Sequence, residues 1–364
     1  MKIVIAAWHL RNLNVGLGRY TYNLIESLGR VDQNNHYEIL IPGKSHSFSV
    51  RPNVRYRLFP IPVFKRRLWE QVCPLMVGKY DLLHFPYDSC IGIKRGKFVV
   101  TMHDAKPQIF PQSLKTVDWK RIVKNMVIPN PIRQIDHVIT VSENSRKDII
   151  ERLGIPKEAI TVIYQGVECE KFSFSFHNTG KLYRGKPYVL SVAGKDQSKN
   201  IENLITAFSM LPSEIRTRHH LVIVGDVCGQ KDIQRLVKHR GIETHTMFTG
   251  VVSDECLVSL YQQASVFVFP SLYEGFGLPV LEAMACGCPV ISSNTSSLPE
   301  VVGEAGMMVD PLNIPEIVEA MGQVLTDPNL AGTMRHLGLM HAQQFSWDNT
   351  ARATVALYEK IVNG

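Results

Sequence analysis

The sequence has few cysteines, no long apolar run and no Asp-x-Asp pair. Seven cysteines, odd in number and scattered over 364 residues, do not make a disulfide framework. A reducing cytosol is the simple reading. Only Cys286 and Cys288 are close, in CGC, and no His/Cys cluster of zinc spacing accompanies them. They read as small packing residues near a helix end, ahead of a redox or metal pair. No run of about 18 apolar residues occurs, so no spanning helix is expected. The first residues, MKIVIAAW, read as a strand and lack a signal-peptide layout. Without Asp-x-Asp, a divalent metal is not expected. Low-complexity segments and short repeats are also absent.

What is present is a globular composition, 45% hydrophobic and 20% charged. The length suits two domains of roughly 150–200 residues each. The net charge of +7 is uneven: residues 1–175 hold 26 Lys and Arg against 15 Asp and Glu. A basic first half points to an anionic partner there. KRRLW (Lys65–Trp69) and KTVDWKRIVK (Lys115–Lys124) mix cations with Trp and aliphatics. That mixture suits the edge of an anionic bilayer, and equally a solvated helix face with an apolar inner side. Nucleic acid is not expected, because no zinc-finger, RNP-type or helix-turn-helix signature is evident.

Short Val/Ile-rich runs alternate with helical patterns. KIVIAAW, YEILIP, DLLHF, KFVVTMH, HVITVS and ITVIYQG read as strands in the first half, and YVLSVAG, HLVIVGD, TMFTG, VFVFPS, CPVISS and GMMVD in the second. Amphipathic segments such as RYTYNLIESLGRV and IENLITAFSML separate them. This pattern predicts an α/β protein with two doubly wound parallel sheets. The expected domains are 1–178 and 179–346, with the polar FSFSFHNTGKLYRGK as the seam and a last helix, 347–364, crossing back to the first domain. Sheets of this kind bind ligands beyond the carboxyl ends of their strands.

Candidate chemistry is therefore sought just after strands. Gly16 and Gly18 follow the first strand and would let a phosphate approach backbone N–H groups. A dinucleotide fingerprint needs a third glycine where Thr21 stands, so a nicotinamide cofactor is disfavoured. His103 and Asp104 follow FVVTM. The imidazole could bond a sugar hydroxyl or meet developing charge, and an ordinary Asp-capped turn is the bland alternative. Lys195 and Lys199 follow YVLSVAG, ahead of a helix expected to be capped by Asn200. Cations there suit a diphosphate leaving group, or are simply solvated.

The most informative stretch is LYEGFGLPVLEAMACGCPVI, Leu272 to Ile291. Pro279 fits the first helical position and Gly287 the helix end. The N–H groups of Phe276, Gly277 and Leu278 would crowd a helix N-terminus, a ready anion site. Glu282 would lie near that same end, where a macrodipole charge contributes ~0.3–1 kcal/mol. Glu274 hangs in the loop before it, and that effect does not account for it.

Here the chain resembles glycosyltransferase family 4, the retaining enzymes with the E-x7-E motif, which EGFGLPVLE matches. GLGRY resembles the family's N-terminal glycine loop, MHDAKP its His-Asp turn, and VSENSRKDI and VIYQGVE the end of its first domain. GKDQSKNIENLITAF and the block from FTGVV to CGCPVI resemble the second domain, and FSWDNTARATVALYEK the closing helix. The likeness runs nearly end to end. It departs at Val15, where the family often has Gly, and at Ser198 and Lys195, where it often has Arg.

The resemblance implies the GT-B fold, two facing Rossmann-like domains with an interdomain cleft. By motif, Glu274 would contact the donor sugar and Glu282 the nucleotide ribose. The backbone around Phe276, Gly277 and Leu278 would meet the sugar and diphosphate, and Lys199 (with Lys195) the diphosphate. His103 would sit by the sugar, Gly16 by the phosphate and Val251 by the base, with the Ser142 turn contributing. The implied activity is metal-independent, retaining transfer of a hexose, with mannose favoured over glucose, GlcNAc and galactose, from a GDP- or UDP-linked sugar to a saccharide or lipid-linked hydroxyl acceptor. No further cofactor is implied. Cell-surface polysaccharide or glycolipid synthesis follows, in the cytoplasm or at the inner membrane face. An epimerase of the same fold and a non-catalytic partner subunit are the alternatives.

Overall fold

A computed structural model of the chain describes residues 1–13, 16–43, 49, 51–59, 66–89, 91, 94–105, 134–174, 185–227 and 229–364. The chain divides into two compact units, Met1–Gly166 with Trp347–Gly364, and Val167–Ser346.

In the first unit, strands β1 (Lys2–Ala6), β2 (His36–Pro42), β3 (Val54–Phe59), β4 (Leu82–Phe85), β5 (Lys97–Met102), β6 (His137–Thr140) and β7 (Ile160–Val162) form one sheet. Its order is β3-β2-β1-β4-β5-β6-β7, parallel throughout. Helices α1 (Gly16–Val31), α2 (Arg66–Met76) and α3 (Glu143–Leu153) belong to it. The strand order reverses between β1 and β4, and in such sheets that switch point is where ligands bind. Edge strand β3, VRYRLF, is missing from the expected strands. Its arginines at the exposed positions break the apolar run that marks the interior strands.

The second unit holds β8 (Tyr188–Val192), β9 (His220–Val224), β10 (Thr246–Gly250), β11 (Val266–Phe269), β12 (Val290–Ser293) and β13 (Met307–Val309). The order is β10-β9-β8-β11-β12-β13, again parallel, with the switch between β8 and β11. Its helices are α4 (Ile201–Met210), α5 (Ser213–Arg216), α6 (Lys231–His239), α7 (Asp254–Gln263), α8 (Leu278–Ala285), α9 (Leu298–Val302), α10 (Ile314–Thr326) and α11 (Pro328–Ala342). Val/Ile-rich strands and inward helix faces share one core, including Val189, Leu204, Leu221, Val266 and Ile317.

The division falls at Gly166/Val167 and not at residue 178. The Val167 N–H donates to the Phe345 carbonyl at 3.0 Å, Lys171 pairs with Asp254, and Phe172 packs on Tyr261. VECEKF is therefore part of the second unit. Helix α12 (Trp347–Asn363) belongs to the first. The Thr350 hydroxyl donates to Tyr164 O at 2.7 Å, and the Trp347 ring meets Tyr20 at 5.6 Å.

Of the two basic patches, only KRRLW lies partly within the described residues, and its Trp favours the helix face with an apolar inner side. Trp69 is fully buried against Trp8 and Phe59, so it is a core residue and no bilayer anchor. KTVDWKRIVK lies outside the described residues. Among the described residues, no helix is long and apolar enough to cross a membrane.

A polar chain runs through the first unit's core. His84 lies 2.5 Å from the Tyr358 hydroxyl through Nδ1 and 2.8 Å from Thr101 Oγ1 through Nε2. Thr101 continues to the Tyr20 hydroxyl at 3.3 Å. Burial, with His103 nearby, pushes the His84 imidazole down to about 3, so it is neutral in the fold. The unfolded imidazole protonates near 6.5, so the unfolded state binds the extra proton. His84's contribution is whole above about pH 6.5 and is lost as pH falls towards 3, at about 1.4 kcal/mol per pH unit. His84→Gln is expected to flatten the fall in urea midpoint between pH 6.5 and 4. Equal slopes in variant and wild type would contradict it.

Candidate functional site

The second unit's switch point gathers the loop after β8 and the loop after β11. Lys199 Nζ lies 2.6 Å from Glu274 Oε1 and 4.8 Å from the centre of the Phe269 ring. The Ser271 hydroxyl lies 2.6 Å from the same carboxylate oxygen and 2.9 Å from Ser198 O. Both charged side chains are largely buried. Glu274 Oε2 has no partner among the described residues, so one carboxylate oxygen is fixed while the other can accept from a ligand.

Serines hold the loop from outside. The Glu274 N–H donates to Ser296 Oγ at 3.0 Å, and the Ser297 hydroxyl reaches the carbonyls of Glu274 and Phe276 at 2.9 and 2.7 Å. Ser296 adopts φ +53°, a left-handed conformation that costs a non-glycine residue energy and recurs at functional sites. Asn200, also left-handed, is the N-cap residue of α4, but its side chain makes no capping bond. Its side-chain amide instead donates to Pro270 O and Pro311 O at 3.0 and 2.8 Å, tying three loops together.

Helix α8 begins differently from the expectation. Gly277 is its N-cap with φ +121°, so Leu278 is the first helical residue and Pro279 the second. A Cβ at Gly277 would lie 2.8 Å from Leu298 Cδ2. The Phe276 ring is buried and meets Phe345 at 6.1 Å, so only its backbone can face a ligand. Glu282 is the fifth helical residue and is 7% exposed. It is therefore a buried carboxylate, not a solvated charge on the first turn. The Tyr261 hydroxyl donates to its Oε2 at 3.4 Å.

Lys195 stands apart, paired with Asp226 at 2.7 Å with both groups well exposed. Val251, 75% exposed, follows Gly250 at the end of β10, and no contact ties it to the Glu274 loop. Lys199, Glu274, Phe276, Gly277, Leu278 and Glu282 are thus the expected residues that this unit brings together.

In the first unit His103 follows β5. Its Nε2 lies 3.2 Å from the Pro86 carbonyl, which requires an N–H there, so Nδ1 is the acceptor facing the Gln165 amide at 3.4 Å. Ser145 fixes the His103 carbonyl at 3.0 Å, and the ring stands edge-on to Tyr20 at 4.5 Å. Burial pushes the imidazole down to about 4, so it is neutral at pH 7. It can hydrogen-bond, but it brings no positive charge to developing negative charge. Ser142 caps α3 by accepting from the Ser145 N–H at 3.0 Å.

Gly16 opens α1 with free space around its Cβ direction. Gly18 is the sterically required glycine, because a Cβ there would lie 2.1 Å from Asn12 O.

Two family models match. "Glycosyltransferase Family 4" covers residues 15–171 and "Glycosyl transferases group 1" residues 174–338. An uncharacterized glycosyltransferase of Methanocaldococcus jannaschii is 30% identical over 99% of this chain and 98% of its own. The chain belongs to glycosyltransferase family 4. The O-antigen chain mannosyltransferase B of Escherichia coli is 29% identical over 99% of this chain and all of its own length. The Anabaena protein HepE, solved in complex with UDP-glucose, superposes with a TM-score of 0.72 at 18% identity, over 99% of this chain and 100% of that one. The fold is GT-B.

Several residues that hold this glycosyltransferase's candidate site are not among those expected. Ser271, Ser296, Ser297, Tyr261 and Gln165 are uncharged and have no sequence spacing of their own. The single usable signal is position, since Ser271 stands two residues after strand β11. Cys286 and Cys288 are buried; burial raises both thiols, Cys288 to about 12, so they stay protonated and pack. Among the described residues no group of three or more His, Cys, Asp or Glu could hold a metal.

Proposed function

We propose that the enzyme transfers a hexose, with retention at the anomeric carbon, from a nucleotide diphosphate sugar to a hydroxyl acceptor without a divalent metal. The observation that carries this reading is the Lys199–Glu274 contact at the end of β8 and β11, one turn of chain before the helix holding buried Glu282. A lysine has three donors, and one on Glu274 leaves two for a diphosphate. The N-terminus of α8 adds backbone N–H groups and a favourable dipole. Glu274 Oε2 accepts from the sugar hydroxyls, and the Glu282 carboxylate matches the vicinal hydroxyls of a ribose. In this reading no carboxylate acts as a covalent nucleophile, and the leaving phosphate takes the acceptor proton in a same-face displacement. The protein then orients both substrates and stabilises the departing charge.

Mannose is the favoured hexose. The support is the printed name of the full-length relative, an O-antigen chain mannosyltransferase, which also favours polysaccharide synthesis. HepE, with UDP-glucose bound, keeps a glucosyl donor in play. A saccharide or lipid-linked acceptor would bind the first unit.

A panel of GDP- and UDP-sugars in EDTA, read by thermal shift and nucleotide diphosphate release, tests this. One donor, GDP-mannose first, is expected to raise Tm and turn over when α-methyl mannoside is added. Hexose interconversion without acceptor would make the enzyme an epimerase instead, and binding without turnover a non-catalytic subunit.

A further inference from the structure

Among the described residues only two that are not glycine adopt a left-handed backbone, Asn200 and Ser296, both at φ +53°. They are far apart in the chain, yet both adjoin the same charge pair. Asn200 directly follows Lys199, and Ser296 Oγ accepts the Glu274 N–H at 3.0 Å. Asparagine tolerates this conformation because its side chain can bond locally. For serine it is a strain that glycine would relieve. Such strain persists where the surroundings require it, and it gathers at functional sites. The serine side chain must therefore do something that glycine cannot.

Its neighbours show what that is. The Thr295 hydroxyl lies 3.4 Å from the carbonyls of Ser271 and Leu272, and the Ser297 hydroxyl reaches those of Glu274 and Phe276. Side chains of an extended chain alternate in direction. The turn at Ser296 instead brings three in a row onto the segment 271–276. Thr295 and Ser297 hold its carbonyls, while Ser296 holds an N–H, that of Glu274 itself. From the other side the Leu272 N–H donates to Ser198 O at 2.7 Å, and the Asn200 amide to Pro270 O at 3.0 Å. Lys199 and Ser271 already fix Glu274 Oε1. Ser296 fixes the backbone from which that carboxylate projects.

We propose that Ser296 is a positioning residue: its hydroxyl holds the Glu274 backbone so that the free carboxylate oxygen faces the bound sugar, and the enzyme keeps a strained turn to do so. The role rests on the glycosyl-transfer reading of Glu274, but the clamp on Glu274 can be tested alone.

Three substitutions in the full chain separate the hydroxyl from the strain. Ser296→Ala removes the hydroxyl and keeps the strain, and Ser296→Gly removes both. Ser296→Thr keeps the hydroxyl and adds a β-branch, which fits a left-handed backbone poorly. Ser296→Gly is expected to melt about 2–4 °C above Ser296→Ala, and Ser296→Thr below wild type. Transfer kcat is expected to ignore that order. It falls by about tenfold or more in both Ser296→Ala and Ser296→Gly, within the roughly hundredfold cost of a misplacement of about 1 Å, with donor KM moving less. Ser296→Thr recovers most of it. Nucleotide diphosphate binding, read by thermal shift, should be equal in all four proteins. A kcat that follows Tm, or wild-type kcat in Ser296→Gly, would overturn the proposal. Hydrogen exchange of the Glu274 amide reads the clamp without turnover, and is expected to quicken in Ser296→Ala and Ser296→Gly alone. Equal exchange in all four proteins would overturn the clamp. Protection lost in those two, with no nucleotide sugar turned over by any of the four, would overturn the transfer reading and leave the clamp standing.

Discussion

Replacing Glu274 by Gln is expected to lower glycosyl-transfer kcat by about 10²–10³-fold, the usual size of losing one preorganised electrostatic group, while nucleotide diphosphate binding is expected to remain. The substitution keeps the shape and the hydrogen bond to Ser271, and removes the charge. Glu274 Oε1 is held by Lys199 and Ser271 at 2.6 Å each, and its backbone by Ser296 and Ser297, so little rearrangement is open to it. The other oxygen meets the sugar hydroxyls in the bound donor and the charge that then develops at the sugar, so the loss is expected chiefly in kcat, with a smaller rise in donor KM. A variant with wild-type kcat would remove Glu274 from the chemistry.

Lys199→Met acts on the other half of the pair. The stem still packs on Phe269, 4.8 Å from the lysine nitrogen, but Glu274 is left without its cation. Truncating one member of a partly buried charge pair costs about 2–5 kcal/mol, here read in kcat/KM for the donor, with KM rising. Lys199→Arg is expected to recover only part, since a planar guanidinium differs in shape and hydration from an ammonium. Because the two residues touch, the double variant Lys199→Met/Glu274→Gln should lose less than the two single losses added. Strict additivity, measured as a double-mutant cycle on kcat/KM, would show that the pair does not act as one unit.

These effects depend on contacts that span 75 positions in the chain, and the sequence could not show them. Interior strands were legible because residues buried on both faces must be continuously apolar, as VFVF and HLVIV are. The same rule hid β3, whose exposed arginines interrupt it. Helix α11 was hidden by Gly332 and Gly338, which lower helix propensity. A Cβ at Gly338 would make only ordinary contact with Met284, at 3.4 Å, so packing does not require the glycine. Trp69 beside three cations looked like a surface anchor, yet only packing reveals that its ring faces Trp8 and Phe59. By local pattern Asn200 reads as a helix cap and Glu282 as a dipole charge, with the ribose role of Glu282 coming only from the family motif. Both are buried, and burial sends a polar side chain to distant partners. His103 was legible as a group at a strand's exit, but its neutral state follows from burial alone.

The most direct measurement is the ¹H NMR spectrum of the anomeric proton formed when wild-type enzyme, GDP-mannose and α-methyl mannoside react in EDTA. The account gives a new glycosidic bond with the donor's own α configuration, formed at the same rate with and without chelator. A β-linked product, or transfer that stops when the metal is removed, would contradict it.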